Sequence, residues 1–174
     1  MRTVGIRPSF LETLGQDGIV NYNEWSVPLG RRFRALKVWL ALRHAGRSGY
    51  TRMIGDDIRL SQRLHALVGT HAELEAVTQA LSITTFRYVP ARLRARIGES
   101  GVESYLNTLN EALIERIQNS GEVFLSNAVI RGRYVLRACI VNFNTTAADV
   151  DEVPEVVARL GREMDGRLRS LRES

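Results

Sequence analysis

Apolar positions recur at every third or fourth residue along some stretches of the chain and at every second along others. The switch between these periods marks out the elements. Phe33, Leu36, Trp39, Leu40 and Leu42 follow helical spacing within Arg31–Ala45, and Gly46 supplies a C-terminal stop. A second helix is predicted over Tyr50–Val68, with Ile54, Ile58, Leu64, Leu67 and Val68 on one side, slightly weakened by Gly55. Glu73–Ala80 is ambiguous and reads best as a short strand. Leu81–Val89 is rich in Thr, Ile, Phe, Tyr and Val and ends at Pro90, which predicts a strand. A basic, glycine-containing loop over residues 90–100 follows. Val102–Gln118 carries Val102, Leu106, Leu109, Leu113 and Ile117 on one stripe and is predicted helical, with Gly121 just past its end. Glu122–Ile130 and Arg133–Val141 form a hairpin about Arg131-Gly132. Thr146 caps the last helix, with Asp149 completing a short capping box. That helix runs to about Leu171 with Val150, Val153, Val157, Leu160, Met164 and Leu168 along its apolar stripe; Pro154 should kink it or move its start inward.

The second half therefore reads strand, helix, strand, strand, helix. This is an α+β unit with helices on one face of a mainly antiparallel sheet. The first half offers two helices and no sheet for them to cover, so it looks like a piece of something larger. Residues 1–30, punctuated by Gly5, Pro8, Gly15, Gly18, Pro28 and Gly30, read as an extended or mobile leader.

Composition narrows the function classes. The 174 residues are 44% hydrophobic and 25% charged, which are globular values sufficient for one domain or two small ones. The longest apolar run, Val38–Leu42, is far short of the roughly 20 residues that cross a bilayer, and no signal peptide opens the chain, so a soluble cytoplasmic protein with no membrane contact is expected. Cys139 is the one cysteine, which excludes an internal disulfide and a cysteine-rich zinc site. It falls in a hairpin strand, where a buried, inert thiol is expected. His44, His65 and His71 are scattered and give no metal-ligand spacing.

Lys and Arg total 24, yet Lys37 is the one lysine, so any Schiff-base chemistry has one candidate. A net charge of +5 and a pI near 10 raise nucleic acid as a partner. Acidic residues interleave with the arginines, however, and aromatics are only 7%, too few for a base-stacking platform. The densest basic group, Arg92, Arg94 and Arg96, reads as a solvated loop, and Glu111 and Glu115 beside Arg116 as a solvated helix face. No Walker-type phosphate loop and no G-x-S-x-G elbow is present. The residues alone describe an α+β domain without a self-contained catalytic site.

One run carries more. Tyr22-Asn-Glu-Trp25-Ser-Val-Pro-Leu-Gly30-Arg-Arg-Phe-Arg-Ala-Leu-Lys37-Val-Trp39, followed by Leu42-Arg43 and Gly46, closely resembles the pyridoxal-phosphate-dependent group II amino acid decarboxylases, the aromatic-L-amino-acid and tyrosine type above all. Leu113-Ile-Glu-Arg-Ile117, Ser120-Gly-Glu122 and Gly132-Arg-Tyr-Val-Leu-Arg137 resemble the same family's C-terminal domain. The resemblance implies fold type I of the pyridoxal-phosphate enzymes, with residues 1–70 as the end of the large domain and 71–174 as the small C-terminal α+β domain. It further implies a homodimer and a carboxy-lyase acting on an aromatic or related L-amino acid, with pyridoxal phosphate as electron sink. The family's cofactor lysine lies in a His-x-x-Lys motif that no histidine here provides, and Lys37 matches a different, helical lysine. A C-terminal fragment, inactive without the missing N-terminal part and binding no cofactor alone, is the expectation.

By the same resemblance, Leu29 and Gly30 would reach the active site across the dimer interface. Arg31 and Arg32 open the helix behind them, and Tyr22 and Trp25 read as packing residues. Arg137 matches an arginine that meets the substrate carboxylate in the glutamate-decarboxylating branch, the alternative being a structural salt bridge. Pro8-Ser9-Phe10-Leu11 resembles a Pro-x-Tyr-Leu segment whose tyrosine delivers a proton. Phe10 has no hydroxyl to donate, a change associated with aldehyde-forming members, while Asn21 in place of a common aspartate fits drift after loss of an active site. The rival readings are a non-catalytic interaction or dimerisation module and a basic nucleic-acid binder.

Overall fold

The computed structural model describes residues 33–173. Contacts divide the chain into two compact units meeting between Gly46 and Arg47. Of the first unit, residues 33–46 are described, and they are helical from Arg34 onward. The long helix α1 spans Arg34–Thr70 but is interrupted at Gly46, whose φ of 64° and ψ of 178° suit only glycine. The two helices expected on either side of Gly46 are thus both present, and the glycine acts as a break from which the helix resumes at once.

The second unit continues with β1 (Leu74–Ala80), β2 (Ile83–Tyr88), a 3-10 helix (Ala91–Arg96), α2 (Ser100–Ser120), β3 (Ser126–Ile130), β4 (Arg133–Cys139) and α3 (Ala147–Glu173). The four strands form one fully antiparallel sheet in the order β1-β2-β4-β3. The β3–β4 turn is the anticipated Arg131-Gly132 pair, both at positive φ. Each strand is shorter than its apolar pattern suggested, because the ladder ends where a partner strand ends. The loop expected over residues 90–100 is instead largely a 3-10 helix.

Alternation along the strands sorts the two faces of the sheet. Phe86, Tyr88, Leu136 and Ala138 face the core, where they meet Leu64 and Val68 of α1, Leu106, Leu109 and Leu113 of α2, and Val153, Val157 and Leu160 of α3. Thr84, on the same face, bonds through its hydroxyl to Ser61 of α1 at 2.9 Å. The helices therefore cover one face, as the pattern predicted. Asn110 of α2, fully buried, completes the end of β2 beyond its ladder with β4: its Oδ1 accepts from Tyr88 N–H at 2.8 Å and its Nδ2 donates to Tyr88 O at 3.0 Å. Asn107 does the same for the start of β4, accepting from Tyr134 N–H and donating to Gly132 O.

α3 starts at the predicted cap. Thr146 N–H donates to Asp149 Oδ2 at 2.7 Å, and Asp149 N–H donates to Thr146 Oγ1 at 3.3 Å. The helix runs through Pro154 without its start moving inward. The proline removes one donor, and the capping box anchors the turn before it. Gly161 lets α3 lie on the Tyr88 ring, since a Cβ there would sit 2.5 Å from Tyr88 Cγ. No helix among the described residues is long and apolar enough to cross a membrane.

Candidate functional site

The sheet's second face carries the candidate chemistry. Arg137 and Cys139 of β4 stand opposite Thr85 and Ile83 of β2, and Arg137 also faces Ser126 of β3. These side chains alternate with the core set, so they project from the sheet's other face. Arg137 is half-buried, and no ion pair or hydrogen bond holds its guanidinium among the described residues. That distinguishes it from the other arginine of β4, Arg133, which pairs with Glu75 at 3.2 Å. Thr85 is committed elsewhere: its hydroxyl lies 2.6 Å from Thr78 Oγ1 and accepts from Thr78 N–H, filling the irregularity where the β1–β2 register shifts.

Two strand positions from Thr85, Arg87 anchors a network that periodicity did not reveal. Its side chain is fully buried. Its Nε donates to Glu75 Oε2 at 2.6 Å, and its two Nη groups donate to Glu103 of α2 at 2.7 and 3.0 Å. Glu103 also accepts from Gly98 N–H at 3.0 Å, and the Arg87 hydrogen bond, foremost, holds its carboxyl below the usual range against the opposing effect of burial. Burial disfavours the Arg87 charge, but the bonds to Glu103 and Glu75 outweigh it and the guanidinium stays more firmly protonated than usual. Both carboxylates are taken by Arg87 and Arg133, and among the described residues no carboxylate is paired with Arg137. The signal available in sequence was an arginine inside a strand of β-branched and aromatic residues, which demands partners if the strand is buried.

Other expectations need correction. Cys139 is exposed rather than buried, because it ends β4 where the sheet stops. The arginines of the 3-10 helix are not merely solvated: Arg92 donates to Asp165 at 2.5 Å and stacks over Tyr105, Arg94 donates to Leu74 O, and Arg96 grips Glu99. Arg116 pairs with Glu163. Among the described residues no group of three or more His, Cys, Asp or Glu could hold a metal ion. Phe10, Asn21, Tyr22, Trp25, Leu29, Gly30, Arg31 and Arg32 lie outside the described residues.

A pyridoxal phosphate held in the manner of a Schiff base needs a lysine within a cavity that also takes its phosphate and ring. Lys37 is exposed on a helix whose neighbouring side chains are also exposed. One cavity of about 290 Å³ is lined by Met53, Asp56, Asp57, Arg59, Leu60, Phe143 and Thr145. Another of about 320 Å³ is lined chiefly by Arg92, Arg96, Tyr105 and Arg169. Neither contains a lysine, so the described residues do not by themselves fit that cofactor.

Comparison with known proteins adds the context. A family model described as the pyridoxal-dependent decarboxylase conserved domain matches residues 1–89. An aromatic-L-amino-acid decarboxylase of Bacillus atrophaeus is 32% identical over 149 residues, covering 85% of this chain and 30% of the relative. A phenylacetaldehyde synthase of Arabidopsis thaliana is 32% identical over 136 residues, covering 76% of this chain and 26% of the relative. The solved structure of Oryza sativa TDC with PLP superposes with a TM-score of 0.67 at 26% identity, covering 82% of this chain and 29% of that one. The chain thus spans less than a third of the length of these relatives.

Proposed function

The chain belongs to the pyridoxal-dependent decarboxylase family, and we propose that it serves as the C-terminal portion of a cytoplasmic, dimeric amino acid decarboxylase. Its substrate would be an aromatic or related L-amino acid. In this reading residues 1–70 complete a large domain and residues 71–174 form the small domain. Pyridoxal phosphate belongs to the complete enzyme, and the 174 residues alone are inactive. The observation that carries the reading is the family match over residues 1–89 joined to a sheet and helices that superpose on a solved family member.

Within that enzyme, Arg137 would receive the substrate carboxylate. Its half-buried guanidinium, with no ion pair among the described residues, supports the role, since a planar cation of this kind is best satisfied by a two-point carboxylate contact. Leu29 and Gly30 would complete the site across the subunit interface, on the strength of the sequence resemblance. Two measurements test the reading. Purified chain mixed with pyridoxal phosphate should show no lysine-aldimine absorption band, and borohydride should leave no cofactor adduct on Lys37; a stable adduct there, or amine production by the chain alone, overturns it. In the complete enzyme, Arg137→Gln should raise KM for the amino acid more than Arg137→Lys does; equal KM values refute the carboxylate contact.

A second reading rests on Phe10. Phenylalanine where the resemblance places a proton-donating tyrosine, together with the similarity to a phenylacetaldehyde synthase, favours a decarboxylation-dependent aldehyde synthase as the complete activity. Phe10→Tyr in the complete enzyme should shift product from aldehyde toward amine; an unchanged product ratio removes this reading.

A further inference from the structure

Three arginines from two separate elements converge on a cleft that the decarboxylase reading does not use. It is the space of about 320 Å³ where the 3-10 helix, the start of α2 and the end of α3 meet. Arg92 and Arg96 enter it from the 3-10 helix and Arg169 from α3, and Glu99 is the one acid of its lining. Arg92 is paired with Asp165 and Arg96 with Glu99, while Arg169 is exposed and has no ion pair among the described residues. Three guanidinium groups therefore meet two carboxylates, and one positive charge is unbalanced. The pairings also leave donors over. A guanidinium carries five N–H groups; Asp165 engages one nitrogen of Arg92, and Glu99 engages two of Arg96.

The start of α2 adds to this field. Its first intrahelical bond runs from Glu103 N–H to Glu99 O, so the amides of Ser100, Gly101 and Val102 have no intrahelical acceptor. Gly101 and Val102 line the cleft. Glu99 stands at the N-cap but makes no side-chain capping bond, because its carboxylate is turned to Arg96. Glu103, the acid of the first turn, is bound to Arg87 and Gly98 and does not line the cleft. Beneath these polar groups the floor is apolar, made by Leu93 and Val102.

Size and chemistry select the ligand. The cleft is larger than a bare oxyanion fills and sits at the lower end of small-molecule sites. Donors come from three elements, the 3-10 helix, α2 and α3. A phosphate monoester carries close to two negative charges at neutral pH and three acceptor oxygens, one for each of them. A carboxylate brings one charge and two oxygens and would leave one element unmet. The apolar floor calls for an organic body behind the phosphate.

We propose that this cleft binds a small phosphate monoester, its phosphate held by Arg96, Arg169 and the first amides of α2 and its apolar body resting on Leu93 and Val102. The site uses none of the residues assigned above to substrate or cofactor, so it stands apart from the functional reading.

The test titrates the isotope-labelled 174-residue chain with phenyl phosphate at neutral pH and low salt and follows its backbone amides by NMR. The Gly101 and Val102 amides should shift saturably. Arg169→Gln should weaken binding at least about tenfold, the value of one charge-assisted hydrogen bond. Arg131→Gln, which removes the same charge from the β3–β4 turn, should change it less than about twofold. Inorganic phosphate should bind roughly tenfold more weakly, because it makes no use of the floor. Gly101→Asp separates binding from folding. A Cβ there meets nothing within 4 Å, and an acid in the first turn favours the helix, so Tm should hold or rise while binding is lost. No saturable shift in the unaltered chain, full affinity in Arg169→Gln or undiminished binding by Gly101→Asp overturns the site. Inorganic phosphate binding as tightly as phenyl phosphate overturns the ester as its ligand.

Discussion

Replacing Arg87 with methionine removes the buried cation that hydrogen-bonds both Glu75 and Glu103. The side chain is fully buried, makes three charge-assisted hydrogen bonds of 2.6–3.0 Å, and its two carboxylate partners are each 21% exposed. Breaking a buried pair by deleting one member typically costs about 3–5 kcal/mol, because the surviving charges stay in a poorly solvated site. Arg133 remains 3.2 Å from Glu75 and 3.8 Å from Glu103 and offsets part of that loss, so we expect about 3 kcal/mol at pH 7. For a unit of this size that corresponds to a fall in Tm of roughly 10 °C. The pH dependence is diagnostic. The Glu103 carboxyl is held below its usual range in the folded protein, first by the Arg87 hydrogen bond. Its contribution is therefore complete above the unfolded value of about 4.3 and is lost as pH falls through the lower folded value. Without Arg87 that depression is relieved, so the gap between the two proteins should narrow below about pH 4.3. Urea denaturation followed by circular dichroism between pH 3 and 8 measures it. A loss under about 1 kcal/mol at pH 7, or a gap that widens in acid, refutes the assignment of Arg87 as the keystone of this network.

Three further outcomes follow from the packing. Gly161→Ala should destabilise the second unit by at least about 1–3 kcal/mol through overpacking against Tyr88, whereas Gly166→Ala, whose Cβ would meet nothing within 4 Å, should stabilise α3 by up to about 1 kcal/mol; equal effects in thermal melts would contradict the close approach of α3 to β2. Asn110→Ala should cost roughly 2–5 kcal/mol by leaving the Tyr88 N–H and C=O unpaired in the core, and a chemical-denaturation midpoint near that of the parent would show that the edge of β2 is satisfied otherwise. Cys139 should react with a thiol-exchange reagent at the rate of an open cysteine. In complex with the cofactor-binding body that rate should fall if the Arg137 face is the one turned toward the active site, and an unchanged rate would count against that orientation.

How far the sequence could be read depended on whether a feature is local. The period of Val102 to Ile117, the positive-φ pair at Arg131-Gly132 and the Thr146–Asp149 box are set by neighbours a few residues apart, and each appears where expected. Strand ends were overestimated at Leu81, Glu122 and Val141, since a strand stops where its partner stops, and the partner is distant in sequence. The exposure of Cys139 was misjudged, and the burial of Arg87 went unread, for the same reason. Both belong to strands of alternating pattern, and only the register of β2 against β4, together with α2 beyond it, decides which end is open and which is sealed. Arg137 could be singled out only through resemblance, and its significance here comes from subtraction. Glu75 and Glu103 on the same sheet are engaged by Arg87 and Arg133, and Arg137 has no ion pair among the described residues. The candidate site is thus less a motif than a charge left over when a buried network has closed. It follows that perturbing the network should alter the chemistry of a residue none of its members touches in sequence, and that Arg87 and Arg137 should be non-additive when substituted together, as coupled positions on one sheet face are.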